Sequence, residues 1–347
     1  METHTGIRVK AALVIALIGG LLYLQTLNFG LTYLDDQLFI VNKAEFFGDA
    51  SNILEVFKRG AFLSHKDMYY RPLLIASMVL DAQFSKGGSL FSYRLTNILI
   101  HLTASCLAFF LLIKFKMKEG RAFLFSLLFC VHPALASAVA WIPGRTDSLP
   151  AVFLLSSFIC FLNRRYLWHL ILFAMAVLCK EVAFILIPVC LLYRILLDTD
   201  KDYKFPALGY FFVTAGWFLL RALALGKPAK ITFSGAIISF FSNLPAAIQY
   251  IGKALLPFNL SAFPIIKDTG FGYGVAATAL IITALVLSRE KRVNFIIFGA
   301  SWFFLFLLPS FLFSYPSNAN VFFEYRLYLP LVGMAIVMNE AIPKEKL

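Results

Sequence analysis

The feature that most limits this fold is a series of apolar runs, each roughly 15–20 residues long and nearly free of charge. Bilayer hydrocarbon offers no water to backbone N–H and C=O groups, so only helices or closed barrels can cross it. The runs lack the strict alternation of barrel strands. They read as helices near residues 9–27, 94–113, 122–142, 148–162, 167–179, 181–197, 205–225, 274–288, 294–314 and 326–341. Composition points the same way: 60% of residues are hydrophobic and 14% charged, where a soluble domain carries about 25% charged. The expectation is an all-α, polytopic integral membrane protein, its 347 residues forming a single membrane domain with about ten spans.

Basic residues collect in short cytoplasmic loops. Here they cluster at Arg8/Lys10, Lys114/Lys116/Lys118/Arg121, Arg164/Arg165, Arg194/Lys201/Lys204, Arg289/Lys291/Arg292 and Lys344/Lys346, about half of the 31 Lys and Arg residues. With ten spans all six clusters fall on one side, and both termini are expected to be cytoplasmic. This accounts for much of the net charge of +12 without nucleic acid, since no basic stretch is interleaved with exposed aromatics. Arg8 and Lys10 precede a first run without a small-residue cleavage site, which reads as an uncleaved anchor. Residues 28–93 form a large first outer loop, with short interfacial helices expected at Ser51–Arg59 and Arg71–Phe84. Residues 231–257 read as a re-entrant or surface-lying piece, with an extra span as the rival. Cys106, Cys130, Cys160, Cys179 and Cys190 include no CxxC pair, so neither a disulfide framework nor a zinc site is expected.

That topology gathers polar groups on the outer face: Asp35 and Asp36, Arg71, His132, Arg145 and Asp147, Lys180 and Glu181, Glu324 and Arg326. Ionisable groups at membrane depth are costly to keep and point to function. Each also has a plain structural reading. The acidic pair can be a solvated turn, and Arg145–Asp147, Lys180–Glu181 and Glu324–Arg326 can be local ion pairs. His132 before Pro133 can be a structural hydrogen-bonder, the reading given to His101 and His169. Carboxylates opposite several cations suit transfer of a sugar from an anionic lipid carrier. Arg71, Arg145, Lys180 and Arg326 are the candidates to bind the donor phosphate. Asp35 or Asp36 is the candidate catalytic base for an inverting attack of an acceptor hydroxyl on the anomeric carbon. His132, Asp147, Glu181 and Glu324 are further site residues. No cofactor or metal is expected, although an Asp pair can hold a divalent ion.

These residues also carry a resemblance. In order, Leu34-Asp35-Asp36, Tyr70-Arg71-Pro72-Leu73, Asn97-Ile98-Leu99-Ile100-His101, Val131-His132-Pro133, Gly144-Arg145-Thr146-Asp147, Cys179-Lys180-Glu181 and Glu324…Leu327-Tyr328-Leu329-Pro330 resemble the membrane part of the transmembrane, TPR-containing O-mannosyltransferases and their bacterial relatives. The resemblance covers about residues 28–340. It implies a GT-C fold, a lipid-phosphate sugar donor with mannose as a candidate sugar, an extracytoplasmic active site and an acidic residue at Asp35 or Asp36. There are two departures. No TPR array follows the last run, so a cadherin-like acceptor is not implied. The family's Glu-Arg-x-Leu-Tyr order is here Glu324-Tyr325-Arg326-Leu327-Tyr328, which swings the arginine by about 100° on a helix.

The function expected is a membrane glycosyltransferase that moves a sugar from a polyprenyl-phosphate donor to a glycan or protein acceptor. It would sit in a bacterial inner membrane with a periplasmic site, or in the ER membrane with a lumenal one. Membrane lipid is the other partner. A transporter or flippase of lipid-linked sugars is one rival, though the paired broken helices of transporters are not evident. A non-catalytic membrane subunit is the other.

Overall fold

The computed structural model describes residues 4–32, 35–63, 67–85, 88–198, 204–225, 233–312 and 320–343. Tyr33 and Leu34, the basic residues Lys201, Lys344 and Lys346, and residues 231–232 lie outside the described residues. The chain is helical: α1 His4–Tyr23, α2 Asp36–Phe39, α3 Ala44–Gly48, α4 Pro72–Phe84, α5 Phe91–Lys114, α6 Glu119–Cys130, α7 Ala136–Ala140 and α8 Arg145–Leu162. There follow α9 Tyr166–Cys179, α10 Leu186–Leu196, α11 Lys204–Ala224, α12 Phe233–Asn243, α13 Ala246–Leu255, α14 Gly272–Leu287, α15 Val293–Phe311 and α16 Pro330–Ala341. Among the described residues the only extended pairing is a lone bridge between Ile265 and Val321.

Every apolar run of the sequence holds helix among its described residues, but the lengths differ. Thr5–Asn28, Phe91–Lys114, Ile142–Leu162, Pro206–Ala224 and Val293–Phe311 are long and apolar enough to cross a membrane, and the bent pair Glu119–Cys130 with Pro133–Ala140 makes a sixth. Tyr166–Cys179, Gly272–Leu287 and Pro330–Ala341 are shorter, and the run 181–197 divides into a 3-10 piece, Glu181–Ile185, and α10. At 1.5 Å per residue a 14-residue helix such as α9 is about 21 Å long, short of a hydrocarbon core of about 30 Å. The expected ten spans are therefore not reached by helix length alone: five or six helices meet it. This is a multi-pass membrane protein. On α1, Leu13, Leu17 and Leu21 stand outward one turn apart, a surface suited to lipid and not to water.

The chain forms two compact units. The first comprises Met1–Cys130, Ala138–Ile187 and Asp202–Ala229, the second Val131–Ser137, Pro188–Lys201 and Lys230–Leu347. In the first, α5 is the central strut, in contact with α1, α4, α6 and α8, while α9 packs on α8 and α11. Arg94, Asn97 and His101 fall at i, i+3 and i+7 on α5 and are all buried. Such spacing lines one helix face, and here that face is polar. His101 Nε2 bonds Cys130 O at 2.8 Å, and Asn97 Nδ2 donates to the carbonyls of Val139, Trp141 and Ile142. The Asn97 bonds tie the end of α7 and the 3-10 turn that follows it to α5, and the His101 bond ties the end of α6 to the same helix. His169 is likewise structural, bonded to Ser157 on α8 and Tyr210 on α11.

The two ends of this unit differ. Arg8 pairs with Glu119 and Lys114 donates to Asn163, so three basic clusters gather where α1 begins and where α5 and α8 end. Arg94 and Arg145 lie at the opposite ends of α5 and α8, a separation of about 27 Å along α8.

The first outer loop holds 3-10 turns at Ala50–Ile53 and Glu55–Lys58 and the helix α4, close to the positions expected. They close a small apolar core around Phe39, Phe47, Val56, Leu74 and Met78. In the second unit α15 packs on α16 and α13 on α14. The described part of the 231–257 segment forms two short helices, α12 and α13, each too short to cross alone.

Candidate functional site

Three chain segments end together in the first unit. Arg71 precedes Pro72, which opens α4 with a missing N–H where none is needed. Asp147 lies in the first turn of α8, where the helix dipole favours a carboxylate. Lys180 breaks α9 in an extended conformation and Glu181 starts the next turn. Nε and Nη2 of Arg71 donate to Glu181 Oε2 at 3.0 and 2.7 Å, with the guanidinium 4.3 Å from the Tyr69 ring centroid. Lys180 Nζ reaches both oxygens of Asp147 at 2.8 and 2.7 Å, and the Asp147 charge also acts on Arg71. The quartet is thus balanced, two cations against two anions. It is not saturated: Arg71 Nη1 has no protein acceptor among the described residues, and Glu181 Oε1 is buried without a hydrogen bond.

Arg145, expected to bind phosphate, is differently placed. It is fully buried and donates from Nε to Asn97 Oδ1 at 2.7 Å, from Nη1 to the carbonyl and hydroxyl of Ser77, and from Nη2 to Asp81 and to Tyr93 O. A guanidinium has five N–H donors, and all five are engaged by protein. In this structure Arg145 is a strut between α4, α5 and α8. Thr96 completes the arrangement by donating to the other Asp81 oxygen at 2.6 Å.

The acidic pair divides. Asp36 is buried and its Oδ2 accepts from the backbone N and hydroxyl of Thr32. Its Oδ1 is buried with no hydrogen-bond partner among the described residues. Asp35 is the more open to solvent, and its carboxyl is pushed up by partial burial and by the Asp36 charge. The short helix carrying Asp36 packs on the Ile142–Gly144 turn, which leads directly into Arg145 and Asp147.

The remaining candidates belong to the second unit. His132 caps the following turn, its Nδ1 accepting from Ala134 N, and its Nε2 lies 3.2 Å from Ala254 O. Glu324 does not depend on Arg326 for its charge: its Oε1 lies 3.0 Å from Lys253 Nζ, with both side chains buried, and accepts from Ser261 N. Lys253 also donates to the carbonyls of Phe258 and Asn259. Burial pushes the Glu324 carboxyl up, against the lowering effect of Lys253. Arg326 lies over the Phe323 ring.

The chain is 29% identical over 191 residues to the protein O-mannosyl-transferase TMTC3 of Homo sapiens, which covers 52% of this chain and 20% of that protein. It is 30% identical over 192 residues to Tmtc1 of Drosophila melanogaster, 52% of this chain and 22% of that one. The chain is distantly homologous to these O-mannosyltransferases. A longer match, 26% identical over 333 residues, joins 87% of this chain to 47% of the protein O-mannosyl-transferase F38B6.6 of Caenorhabditis elegans. The chain thus matches about a fifth of the human and fly proteins, and the TPR region of these O-mannosyltransferases is not covered. No family model matches the chain, and no solved structure matches it.

The homology to O-mannosyltransferases arises in a chain whose first unit brings together Arg71, Asp147, Lys180 and Glu181. Sequence reasoning missed Asp81, Arg94 and Lys253. Each is a single charge embedded in an apolar run, a signal that was readable but whose partner was not.

Proposed function

We propose that this protein is a membrane glycosyltransferase of GT-C type, moving mannose from a polyprenyl-phosphate donor to a hydroxyl of a glycan or protein on the extracytoplasmic side. The observation that carries the reading is Asp36: a buried carboxylate with one oxygen bonded and the other unclaimed, in a chain homologous to O-mannosyltransferases over part of its length. Oδ1 takes the proton of the acceptor hydroxyl as its oxygen attacks the anomeric carbon. The bond from that carbon to the phosphate oxygen breaks, and its electron pair leaves with the polyprenyl phosphate. Arg71 and Lys180 face the growing charge on the phosphate, and Arg71 Nη1 is the donor available without breaking an existing bond. Asp147 and Glu181 hold the two cations at fixed geometry before the donor arrives. No cofactor enters this scheme. The basic end of the first unit is cytoplasmic in this reading, by the distribution of Lys and Arg, with both termini on that side.

The test uses the purified full chain in detergent with polyprenyl-phosphate mannose and a mixture of hydroxyl acceptors. Mannose transfer or release is measured for wild type, Asp35→Asn and Asp36→Asn. Asp36→Asn is expected to lower the rate by about 10²-fold or more, with a smaller loss for Asp35→Asn. A wild-type rate in Asp36→Asn removes the base assignment. Donor left intact by folded wild-type protein removes the transferase reading.

A further inference from the structure

Arg94 opens the polar face of α5 and is 1% exposed. All three guanidinium nitrogens are engaged, and all by backbone carbonyls: Nε by Phe29 O at 3.0 Å, Nη2 by Gly30 O and Nη1 by Ala140 O. Among the described residues no carboxylate is hydrogen-bonded to it. Carbonyls satisfy N–H groups but do not neutralise a buried cation, which needs an anion nearby. The anion whose charge acts on Arg94 is Asp36. Gly30, held by Arg94, lies two residues before Thr32, and Thr32 holds Asp36 through its backbone N and hydroxyl. The linkage from α5 to the acidic loop is therefore continuous.

We propose that Arg94 is a positioning residue for the acidic loop: it pins the chain ahead of Asp36 to α5 and to the end of α7, and sets a buried positive charge against the Asp36 carboxyl. Its consequence for sugar transfer rests on the reading of Asp36 as the base; the pinning and the charge do not. The other groups around Asp36 leave Arg94 this part. Asp35, the next residue in the chain, is of like charge. Lys43, on the turn packed after α2, directs its ammonium to Ala61 O and lies over the Phe39 and Phe62 rings. The Ile142–Gly144 turn that packs on α2 carries no titratable side chain.

The test needs no enzymatic activity. Dicyclohexylcarbodiimide, an apolar reagent, modifies protonated carboxyls, so labelling of Asp36 in the full chain, followed by peptide mass spectrometry against pH, gives a half-labelling pH. Arg94→Gln removes the charge, and the half-labelling pH is expected to rise by one unit or more; Arg94→Lys keeps the charge and stays near wild type. Asn97→Ala removes bonds to the neighbouring turn without changing charge, and is expected to lower thermal stability while leaving the half-labelling pH in place. An unchanged titration in Arg94→Gln, or an equal shift in Asn97→Ala, overturns the proposal. Where Arg94→Gln yields no folded protein, Arg94→Lys carries the test, and a shift of a unit or more in it is the overturning result. A shift in Arg94→Gln without any mannose transfer by wild type keeps the role of Arg94 and removes the transferase reading instead.

Discussion

Arg145 and Asp81 face one another as an ion pair inside the first unit, with 0% and 8% of their side chains exposed. Desolvation makes such a pair expensive to build, and removal of one partner leaves the other charged and stranded, at a cost of about 3–5 kcal/mol. Arg145→Met and Asp81→Ala are each expected to lower the thermal midpoint in detergent steeply. Arg145→Lys should also fall, because a point charge cannot serve Asn97, Ser77, Asp81 and Tyr93 at once. The double variant Arg145→Met, Asp81→Leu should melt above either single variant. Melting of Arg145→Met at the wild-type temperature would show that the pair is not the strut described.

Arg71 should behave in the opposite way, as a group whose charge matters more for donor than for fold. Its fork bonds Glu181 Oε2 through two nitrogens and leaves Nη1 without an acceptor among the described residues. Arg71→Lys keeps the charge and loses the fork. Steady-state kinetics with polyprenyl-phosphate mannose should show the donor KM raised by about tenfold, equivalent to about 1.4 kcal/mol, with a smaller change in kcat. A kcat loss at constant KM would assign Arg71 to the transition state alone.

The apolar runs announced the helices because hydrophobicity over a turn or more is a local property of the chain. Some ends of those helices were also legible, since Arg71, Asp147, Lys180 and Glu181 interrupt the apolar sequence where one run gives way to the next. Partnership was not legible. Sequence proximity suggested Arg145 with Asp147, Lys180 with Glu181 and Glu324 with Arg326. The ion pairs in the structure are Arg145 with Asp81, Lys180 with Asp147, Glu181 with Arg71 and Glu324 with Lys253. The cause is geometric: residues one or two apart on a helix do not face each other, so each charge turns to another segment. Pairing of that kind is fixed by how helices pack, which no single run encodes. The same holds for span length, where Lys180 ends α9 after 14 residues although the apolar run resumes at once.

Lys43 gives a pH dependence with a definite sign. It is buried beneath the first outer loop, and burial lowers its ammonium from 10.5 to about 8 despite the opposing pull of Asp67. A base with a depressed folded value binds fewer protons folded than unfolded between those two values, so stability rises with pH across that window. Its stabilising contribution is complete above pH 10.5 and is lost as pH falls through 8. Subtracting the thermal midpoint of Lys43→Met from that of wild type should therefore give a difference that grows from pH 8 towards 10.5. A flat difference would mean that Lys43 stays hydrated in the folded protein.

The second unit depends on a contact that tolerates no side chain. Gly299 on α15 and Gly333 on α16 meet backbone to backbone: a Cβ on Gly333 would lie 2.5 Å from Gly299 O and 2.8 Å from Phe303 N, and one on Gly299 would lie 2.8 Å from Gly333 O. Small residues allow this approach in membrane helices, where packing replaces the hydrophobic drive available in water. The obstacles are backbone atoms, so no rotamer change relieves them, and the two helices must separate along their length. Overpacking of this kind costs about 1–3 kcal/mol or more. Gly333→Ala is expected to lower the thermal midpoint, while Gly216→Ala on α11, where a Cβ meets nothing within 4 Å, should hold or raise it through better helix propensity. Equal midpoints for the two alanine variants would show that α15 and α16 are not in register at these glycines.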